Sequence, residues 1–229
     1  MPRSTRRLGL ALALAAGALA ACEPFLQGNG VYREERRPDV GPFTGVHVES
    51  GIDAAVTAGV ADRSVTVSGD DNVVPYIETE VRTDSGLQVL HVWVSKAFVG
   101  TIPPRAVIEV PSLEYAFATQ SSRVSGKSLA ASSFEVVADQ SSTVVLEGAA
   151  VPAGESLDVR LATGAVLSAT AYAVSGGAEV QLSGGSVARI RSDGPVSGTV
   201  TGGSVLENLQ GTGSCAGVTA DGNSTLSCH

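Results

Sequence analysis

Short runs of alternating apolar and polar residues, rich in valine, recur along the chain and are separated by Gly, Ser, Asn or Asp. A period of two is typical of strands that bury one face, and β-branched residues favour strands. Clear examples are Val46–Val48, Ser64–Val67, Leu87–Val94, Ala106–Val110 and Phe134–Val137. No comparable run has the 3.6-residue period of a long helix. The pattern therefore predicts an all-β fold.

A second pattern, with a period of about twenty residues, occupies the second half of the chain. Two small residues, any residue and a valine recur five times, and the valines are 20, 22, 21 and 18 positions apart. Small residues permit a tight corner, and an apolar residue after each corner can enter a stacked interior. We therefore predict a β-solenoid, a parallel β-helix-like stack of short strands. A β-sandwich is the alternative, because a chain rich in Gly, Ser and Val also produces such matches by chance. The valines are Val124, Val144, Val166, Val187 and Val205.

The apolar pattern at the N-terminus differs from that of the strands. Arg3, Arg6 and Arg7 precede an uninterrupted stretch of Leu, Ala and Gly from Leu8 to Leu19. This stretch has the length of the apolar region of a signal peptide and is shorter than the roughly 20 residues that cross a bilayer. Residues 1–21 are therefore predicted to be an export signal.

The sequence Leu19-Ala20-Ala21-Cys22 resembles the bacterial lipobox, in which a Leu, two small residues and a Cys mark the site of lipid transfer and cleavage. The resemblance implies that Cys22 becomes the lipidated first residue of the mature chain. Several acyl chains would hold it at the membrane, since one chain holds only marginally. Ordinary cleavage after Ala21, which leaves Cys22 as a free thiol, is the alternative. Glu23 is not the Asp that favours inner-membrane retention in enterobacteria, so we expect the outer membrane.

The segment 22–38 is predicted to be a lipidated tether, and the segment 39–229 the folded domain. Gly28–Gly30 and the charged cluster Arg33–Arg37 show no apolar period, which favours a solvated linker. The residues are equally consistent with a first strand at Val31–Arg36.

Charge excludes one class of partner. The export signal contains three of the 15 basic residues, so the mature chain carries 12 basic residues against 23 acidic residues, a net charge of −11. An acidic chain without a basic patch argues against nucleic acid as a partner. No second apolar run reaches about 18 residues, so the lipid on Cys22 is the expected membrane attachment.

The remaining cysteines form an even pair. Once Cys22 carries lipid, Cys215 and Cys228 are left in an oxidising compartment, and we predict that they form a disulfide. The bond would close a 14-residue segment, stabilise the fold by about 3 kcal/mol and hold the C-terminal coil. Zinc binding with His229 is the alternative, although two Cys and one His are an incomplete ligand set.

Candidate catalytic and metal-binding motifs are weak. Gly126–Ser128 imitates the end of a P-loop, but Ser121 stands where the motif needs glycine. His47 and His91 lie in alternating strands, where a solvent-facing position is expected. Asp70–Asn72 could bind Ca²⁺ weakly but is more typical of a turn. We predict no catalytic residue, cofactor or metal site.

Carboxylates of the repeat region bear on the possibility of an enzyme, because parallel β-helices also include polysaccharide lyases and hydrolases. Such sites need carboxylates clustered on successive coils. Here the carboxylates appear scattered and out of register, and Tyr172 is the only aromatic residue after Phe134. The sequence therefore predicts no enzyme, with a carbohydrate-active enzyme as the alternative. The carboxylates are those of Glu135, Asp139, Glu147, Glu155, Asp158, Glu179, Asp193, Glu207 and Asp221.

The stretch from Gly28 to Val94 resembles the GIN-domain family of auto-transporter adhesin heads, formerly a domain of unknown function. The resemblance is carried by Gly28–Val31, Arg33–Arg36, Phe43–Val46, Gly51–Gly59, Val65–Asn72, Val73–Val81 and Gly86–Leu87. Only the composition continues to match as far as about Thr225, and Ala55 and Ala58 stand where the family often carries bulkier or polar residues. The resemblance implies a β-helix-like stack of strands, often in a lipoprotein. We therefore expect a lipid-anchored cell-envelope protein with an adhesin-like domain that contacts a protein or glycan partner.

Overall fold

The computed structural model describes residues 25–148 and 154–228, which form 21 strands and one 3₁₀ turn at Val74–Tyr76. Two large sheets of nine and ten strands contain all but two of these strands. The other two, β1 (Leu26–Gln27) and β8 (Phe98–Val99), form a small parallel pair. The prediction of an all-β fold is confirmed.

The nine-stranded sheet has one strand from almost every coil of the chain. Its order is β20 (Gly217–Ala220), β18 (Val196–Val200), β16 (Ala178–Leu182), β14 (Ser156–Leu161), β12 (Ser133–Ala138), β10 (Tyr115–Ala118), β3 (Gly45–Val48), β7 (Leu87–Val94) and β6 (Ile77–Asp84).

The ten-stranded sheet faces the nine-stranded sheet across the core. Its order is β2 (Tyr32–Arg36), β5 (Ser64–Asp70), β9 (Arg105–Val110), β4 (Asp53–Ala58), β11 (Arg123–Leu129), β13 (Thr143–Gly148), β15 (Val166–Val174), β17 (Val187–Ser192), β19 (Val205–Asn208) and β21 (Thr225–Cys228).

From β10 onward, successive strands alternate between the two sheets, and each pairs in parallel with the strand two positions further along the chain. Each coil therefore adds one strand to each sheet in the same direction, which is the arrangement of a β-solenoid and not of a sandwich. The first half is more mixed. Strands β6 and β7 form an antiparallel hairpin, and β5 lies antiparallel to both β2 and β9.

The core is filled by alternate residues of the two sheets, as the period of two predicts. In β12, Phe134, Val136 and Ala138 are buried, while the residues between them are half-buried. Phe134 meets Tyr172 edge-on with ring centroids 5.8 Å apart, and the Tyr172 hydroxyl donates to the carbonyl oxygen of Ala131 at 3.0 Å. Buried apolar side chains from all coils form a continuous cluster.

The twenty-residue repeat marks the corners, but the predicted position of its valine is wrong in three of five units. Each corner has two residues with positive φ, then a buried small residue, and two residues later an inward side chain. Val124 and Val144 hold that inward position, whereas Val166, Val187 and Val205 lie one residue earlier and are half-buried on the outer face. A one-residue offset reverses the face because side chains alternate along a strand. The inward residues there are Leu167, Ala188 and Leu206, and the corner pairs are Gln120–Ser121, Gln140–Ser141, Thr163–Gly164, Gly184–Gly185 and Gly202–Gly203.

Part of the predicted tether belongs to the domain. Strand β2 (Tyr32–Arg36) pairs antiparallel with β5 along its whole length, and the Gly30 amide donates to the Asp70 carboxylate at 2.7 Å. The interpretation of Val31–Arg36 as a first strand therefore holds, and the tether boundary at residue 38 is corrected. An edge strand exposed on its outer side needs no apolar period, so its charged residues resemble a linker in the sequence.

The predicted disulfide is present. Cys215 precedes β20 and Cys228 ends β21, and the bond joins them with their Cα atoms 6.2 Å apart. It ties together the last strand of each large sheet at the end of the solenoid, where no further coil follows within the described residues. Cys22 and His229 lie outside the described residues.

Candidate functional site

Five side chains with rings lie near one another on the outer face of the nine-stranded sheet. Strand β3 lies between β7 and β10, so that His47 is opposite His91 on one side and opposite Phe117 on the other. Trp93 follows on β7, and Tyr115 precedes Phe117 on β10. We call these five residues the histidine–aromatic cluster.

Local sequence turns these rings outward. His47 has a buried valine on each side, and Phe117 has a buried alanine on each side, so the alternation of the strand points both rings away from the core. Gly45 leaves room for the ring of Tyr115. A Cβ at this glycine would lie 3.0 Å from ring atom Cδ1 of Tyr115 and 3.0 Å from the side chain of Val89.

The rings pack against one another instead of standing free in solvent. His47 stacks on Phe117 with centroids 4.1 Å apart and an angle of 20° between the planes, and it contacts His91 at 4.5 Å and 55°. The guanidinium group of Arg82 lies over Trp93, 4.9 Å from the ring centre. His91 is only 7% exposed as a result. The prediction that His47 and His91 lie on the outer face of the sheet is therefore correct. The prediction that His91 is exposed to solvent is wrong.

Carboxylates approach both imidazoles. The Asp84 carboxylate, at the end of β6, lies 2.6 Å from the Nε2 atom of His91 and forms a hydrogen bond with it. Nε2 of His47 lies 3.1 Å from a carboxylate oxygen of Glu49 without forming a hydrogen bond, and this buried nitrogen has no hydrogen-bond partner among the described residues. Burial, together with the adjacent His91, lowers the pKa of His47 to about 4, although Asp84 acts in the opposite direction. The His47 imidazole is therefore neutral at neutral pH.

Next to the cluster, the register brings carboxylates together that appear scattered in the sequence. Glu135 on β12 is opposite Asp158 on β14, which is opposite Glu179 on β16. Arg160 pairs with a carboxylate oxygen of Glu135 and with one of Asp158, both at 2.7 Å. We call these three acidic residues the carboxylate ladder. The expectation that carboxylates do not recur in register is wrong here, because the coils differ in length and only the pairing shows which residues align.

The other sequence motifs have structural roles. Asp70 uses both carboxylate oxygens to accept backbone N–H groups, and Asn72 donates to the carbonyl oxygen of Gln27 at 2.8 Å. The turn interpretation therefore accounts for Asp70–Asn72. Gly126–Ser128 lies inside strand β11, which is not the loop between strand and helix of a phosphate-binding motif.

The histidine–aromatic cluster gives no local signal in the sequence. His47 and His91 are 44 positions apart, and β3 pairs with β7 only because three intervening strands are placed elsewhere in the two sheets. The available clue is that each histidine interrupts a run of apolar strand residues. That clue identifies two outward positions but not their proximity.

Comparison with known proteins shows which protein family this fold belongs to. Residues 42–211 match the family described as "Putative auto-transporter adhesin, head GIN domain". The chain belongs to the GIN-domain family. This membership confirms the resemblance seen in the sequence and covers both the cluster and the ladder.

Solved structures share the fold of this GIN domain. A protein described as a "putative adhesin" from Bacteroides fragilis superposes with a TM-score of 0.61 at 15% identity, over 88% of this chain and 99% of the other. A "putative lipid binding protein" from Parabacteroides distasonis has a TM-score of 0.52 at 9% identity, over 89% and 96%. A "putative adhesin" from the same species has a TM-score of 0.50 at 13% identity, over 90% and 100%. No curated protein matches the chain. At these identities the structural likeness concerns the fold alone.

Proposed function

We propose that this protein is a lipid-anchored, adhesin-like component of the bacterial cell envelope, without catalytic activity, and that its GIN domain binds an envelope protein or glycan through the outer face of the nine-stranded sheet. The observation that carries the proposal is the histidine–aromatic cluster. Aromatic residues are 4% of the chain, and three of them are partly exposed together on this one face. Aromatic side chains are enriched where proteins recognise partners.

The anchor proposed at Cys22 would place the domain close to the membrane. Strand β1 begins at Leu26, four residues after Cys22, and four residues can span at most about 14 Å. The export signal of residues 1–21 and the outer membrane as destination belong to the same proposal. Within residues 25–148 and 154–228, no helix is long and apolar enough to cross a bilayer.

Cys22→Ser is expected to move the protein from the membrane fraction to the soluble fraction, because the serine hydroxyl cannot take the thioether-linked lipid. Cell fractionation followed by immunoblotting measures the distribution. Cys215→Ser is the matched control, since it removes a thiol from the predicted disulfide and leaves the anchor. If the Cys22→Ser variant still sediments with membranes, the proposal that Cys22 carries the lipid is wrong.

The binding surface continues from the cluster into an open groove of about 380 Å³. Phe117 lies at one end, and outward side chains of the following coils line the rest. Val137, Arg160, Gln181 and Thr199 follow Phe117 at the same register position on successive strands. The groove therefore offers an aromatic ring, an apolar side chain, a guanidinium group and hydrogen-bonding groups in a row, which suits an extended partner with both apolar and polar groups.

Trp93→Ala is expected to weaken binding to envelope material by about tenfold or more, because loss of an aromatic side chain that contacts a partner typically costs about 1–2 kcal/mol or more. Binding of the purified chain to immobilised outer-membrane fractions can be measured by biolayer interferometry. Val107→Ala is the control, since Val107 is an exposed apolar residue of the ten-stranded sheet.

Treating the envelope fraction with protease or with periodate separates a protein partner from a glycan partner. Equal weakening by Trp93→Ala and Val107→Ala would show that the cluster is not the binding surface. Absence of binding by the unaltered chain would count against the adhesin-like function itself.

The carboxylate ladder favours a second candidate, a carbohydrate-active enzyme. Hydrolysis of a glycosidic bond needs one protonated carboxyl group beside an ionised one. Arg160 pairs with both Glu135 and Asp158, which is an arrangement suited to a surface ion-pair network. Cleavage of envelope glycans by the chain, abolished by Glu135→Gln, would support the enzyme and overturn the proposal of a non-catalytic binding domain.

A further inference from the structure

Three potential metal ligands converge inside the histidine–aromatic cluster. One ring nitrogen of His47, one ring nitrogen of His91 and one carboxylate oxygen of Asp84 all lie within 4.8 Å of one another. The three residues belong to β3, β7 and the end of β6, which are neighbouring strands of one sheet. Paired strands hold side chains in place more firmly than loops do, so little ordering would be needed for a ligand to bind.

A buried nitrogen without a partner supports the same conclusion. Nε2 of His47 is buried and makes no hydrogen bond to any residue that the structure describes. Buried polar atoms almost always have a partner, and an ion is one of the recognised reasons for an exception. A carboxylate oxygen of Glu49 lies 3.1 Å from this nitrogen, so a second acidic group is within reach.

The chemistry of the ligands indicates the class of ion. Two imidazoles and a carboxylate suit first-row divalent cations such as Zn²⁺, whereas Ca²⁺ and Mg²⁺ prefer ligand sets made of oxygen atoms. Imidazole binds these cations through a ring nitrogen that carries no proton. Ligand atoms around tetrahedral Zn²⁺ are about 3.4 Å apart. Separations of up to 4.8 Å therefore close by at most about 1.4 Å, while the 2.6 Å contact between His91 and Asp84 opens by about 0.8 Å.

We infer that His47, His91 and Asp84 form a binding site for one first-row divalent cation. A water molecule or Glu49 completes the coordination. The ion takes the place of the proton shared between His91 and Asp84, so the His91 tautomer that binds it carries its proton on Nδ1. The bound ion cross-links β6, β7 and β3 at one edge of the nine-stranded sheet. This inference does not rest on the proposed adhesin-like function, since an ion can bind here whether or not the face has a macromolecular partner.

Zinc titration by isothermal calorimetry tests the site. The full chain carrying Cys22→Ser is used, so that a free thiol does not bind the metal. We expect one Zn²⁺ per chain with a Kd of about 1 μM or tighter. His47→Gln and His91→Gln are each expected to weaken this binding by roughly a hundredfold or more, since even loss of an outer-shell partner costs about 10- to 100-fold.

Two further measurements separate a metal site from a structural effect of the variants. Co²⁺ in place of Zn²⁺ is expected to give visible absorption bands that disappear in His91→Gln, a signature that a purely structural histidine would not produce. Glu109→Gln is the matched control, because Glu109 is an exposed acidic residue of β9 in the ten-stranded sheet, away from the three ligands. Absence of saturable binding by the chain, binding unchanged in both histidine variants, or equal loss in Glu109→Gln would each overturn the inference.

Discussion

Gly198→Ala is expected to destabilise the protein by about 3–5 kcal/mol, because the added methyl group has no space and the backbone has an unsuitable conformation for alanine. Gly198 lies in the middle of β18 with φ of 126°. A Cβ at this position would lie 1.9 Å from the carbonyl oxygen of Val180 on the neighbouring strand β16. That oxygen belongs to the backbone of a paired strand, so it cannot rotate away as the end of a flexible side chain would.

Urea unfolding followed by circular dichroism measures the effect as a lower transition midpoint with an unchanged slope. Gly222→Ala is the matched control. Gly222 lies in an exposed turn, φ there is not in the positive range, and a Cβ would meet no atom of the described residues within 4 Å. We expect this control to change stability by less than about 0.5 kcal/mol. Similar midpoints for the two variants would contradict the close packing of β18 against β16.

The sequence predicts the strands and corners of this fold because both follow from local rules. Alternation along β12 assigns Phe134 to the core from its neighbours alone, and the small residues before Val144 identify a corner wherever they occur. The position of Val166 shows where local rules stop. The corner before it, at Thr163–Gly164, starts the strand so that the valine falls on the outer face.

The candidate site depends on pairing between distant strands, which periodicity does not reveal. His47, His91 and Phe117 become neighbours because β3 lies between β7 and β10. Glu135 and Asp158 align because the coil between them has 23 residues instead of the average twenty or so. Neither alignment can be obtained by counting a fixed repeat, since one residue more or less in a corner changes which side chains meet.

Asp70→Asn is expected to lower the unfolding midpoint and to loosen the attachment of the N-terminal segment. The Asp70 side chain is fully buried, and one carboxylate oxygen accepts the backbone N–H of Gly30 at 2.7 Å. The other oxygen accepts the N–H groups of Thr101 at 2.8 Å and Ile102 at 3.0 Å. An asparagine amide has one oxygen and one NH₂ group, so either orientation places a donor against at least one backbone donor. Faster hydrogen exchange at Gly30, Thr101 or Ile102 would locate the loss.

The effect of Asp70→Asn is expected to depend on pH. Burial raises the pKa of the Asp70 carboxyl, but the N–H groups of Ile102, Thr101 and Gly30 outweigh burial and hold the pKa below its ordinary value of 3.8. The unfolded chain therefore takes up the proton first as the pH falls. The stabilisation from this carboxylate is complete above the unfolded pKa and is lost as the pH falls through the lower pKa of the folded state.

The difference in unfolding free energy between the unaltered chain and Asp70→Asn should thus be constant from about pH 7 to about pH 5 and should shrink below the ordinary pKa. Urea titrations at a series of pH values measure it. Asp62→Asn is the control, because Asp62 is an exposed carboxylate and the substitution makes the same change in net charge. A difference that stays constant in acid would show that Asp70 acts through packing and not through its charge. A comparable loss in Asp62→Asn would assign the effect to net charge and not to the three hydrogen bonds that the Asp70 carboxylate accepts.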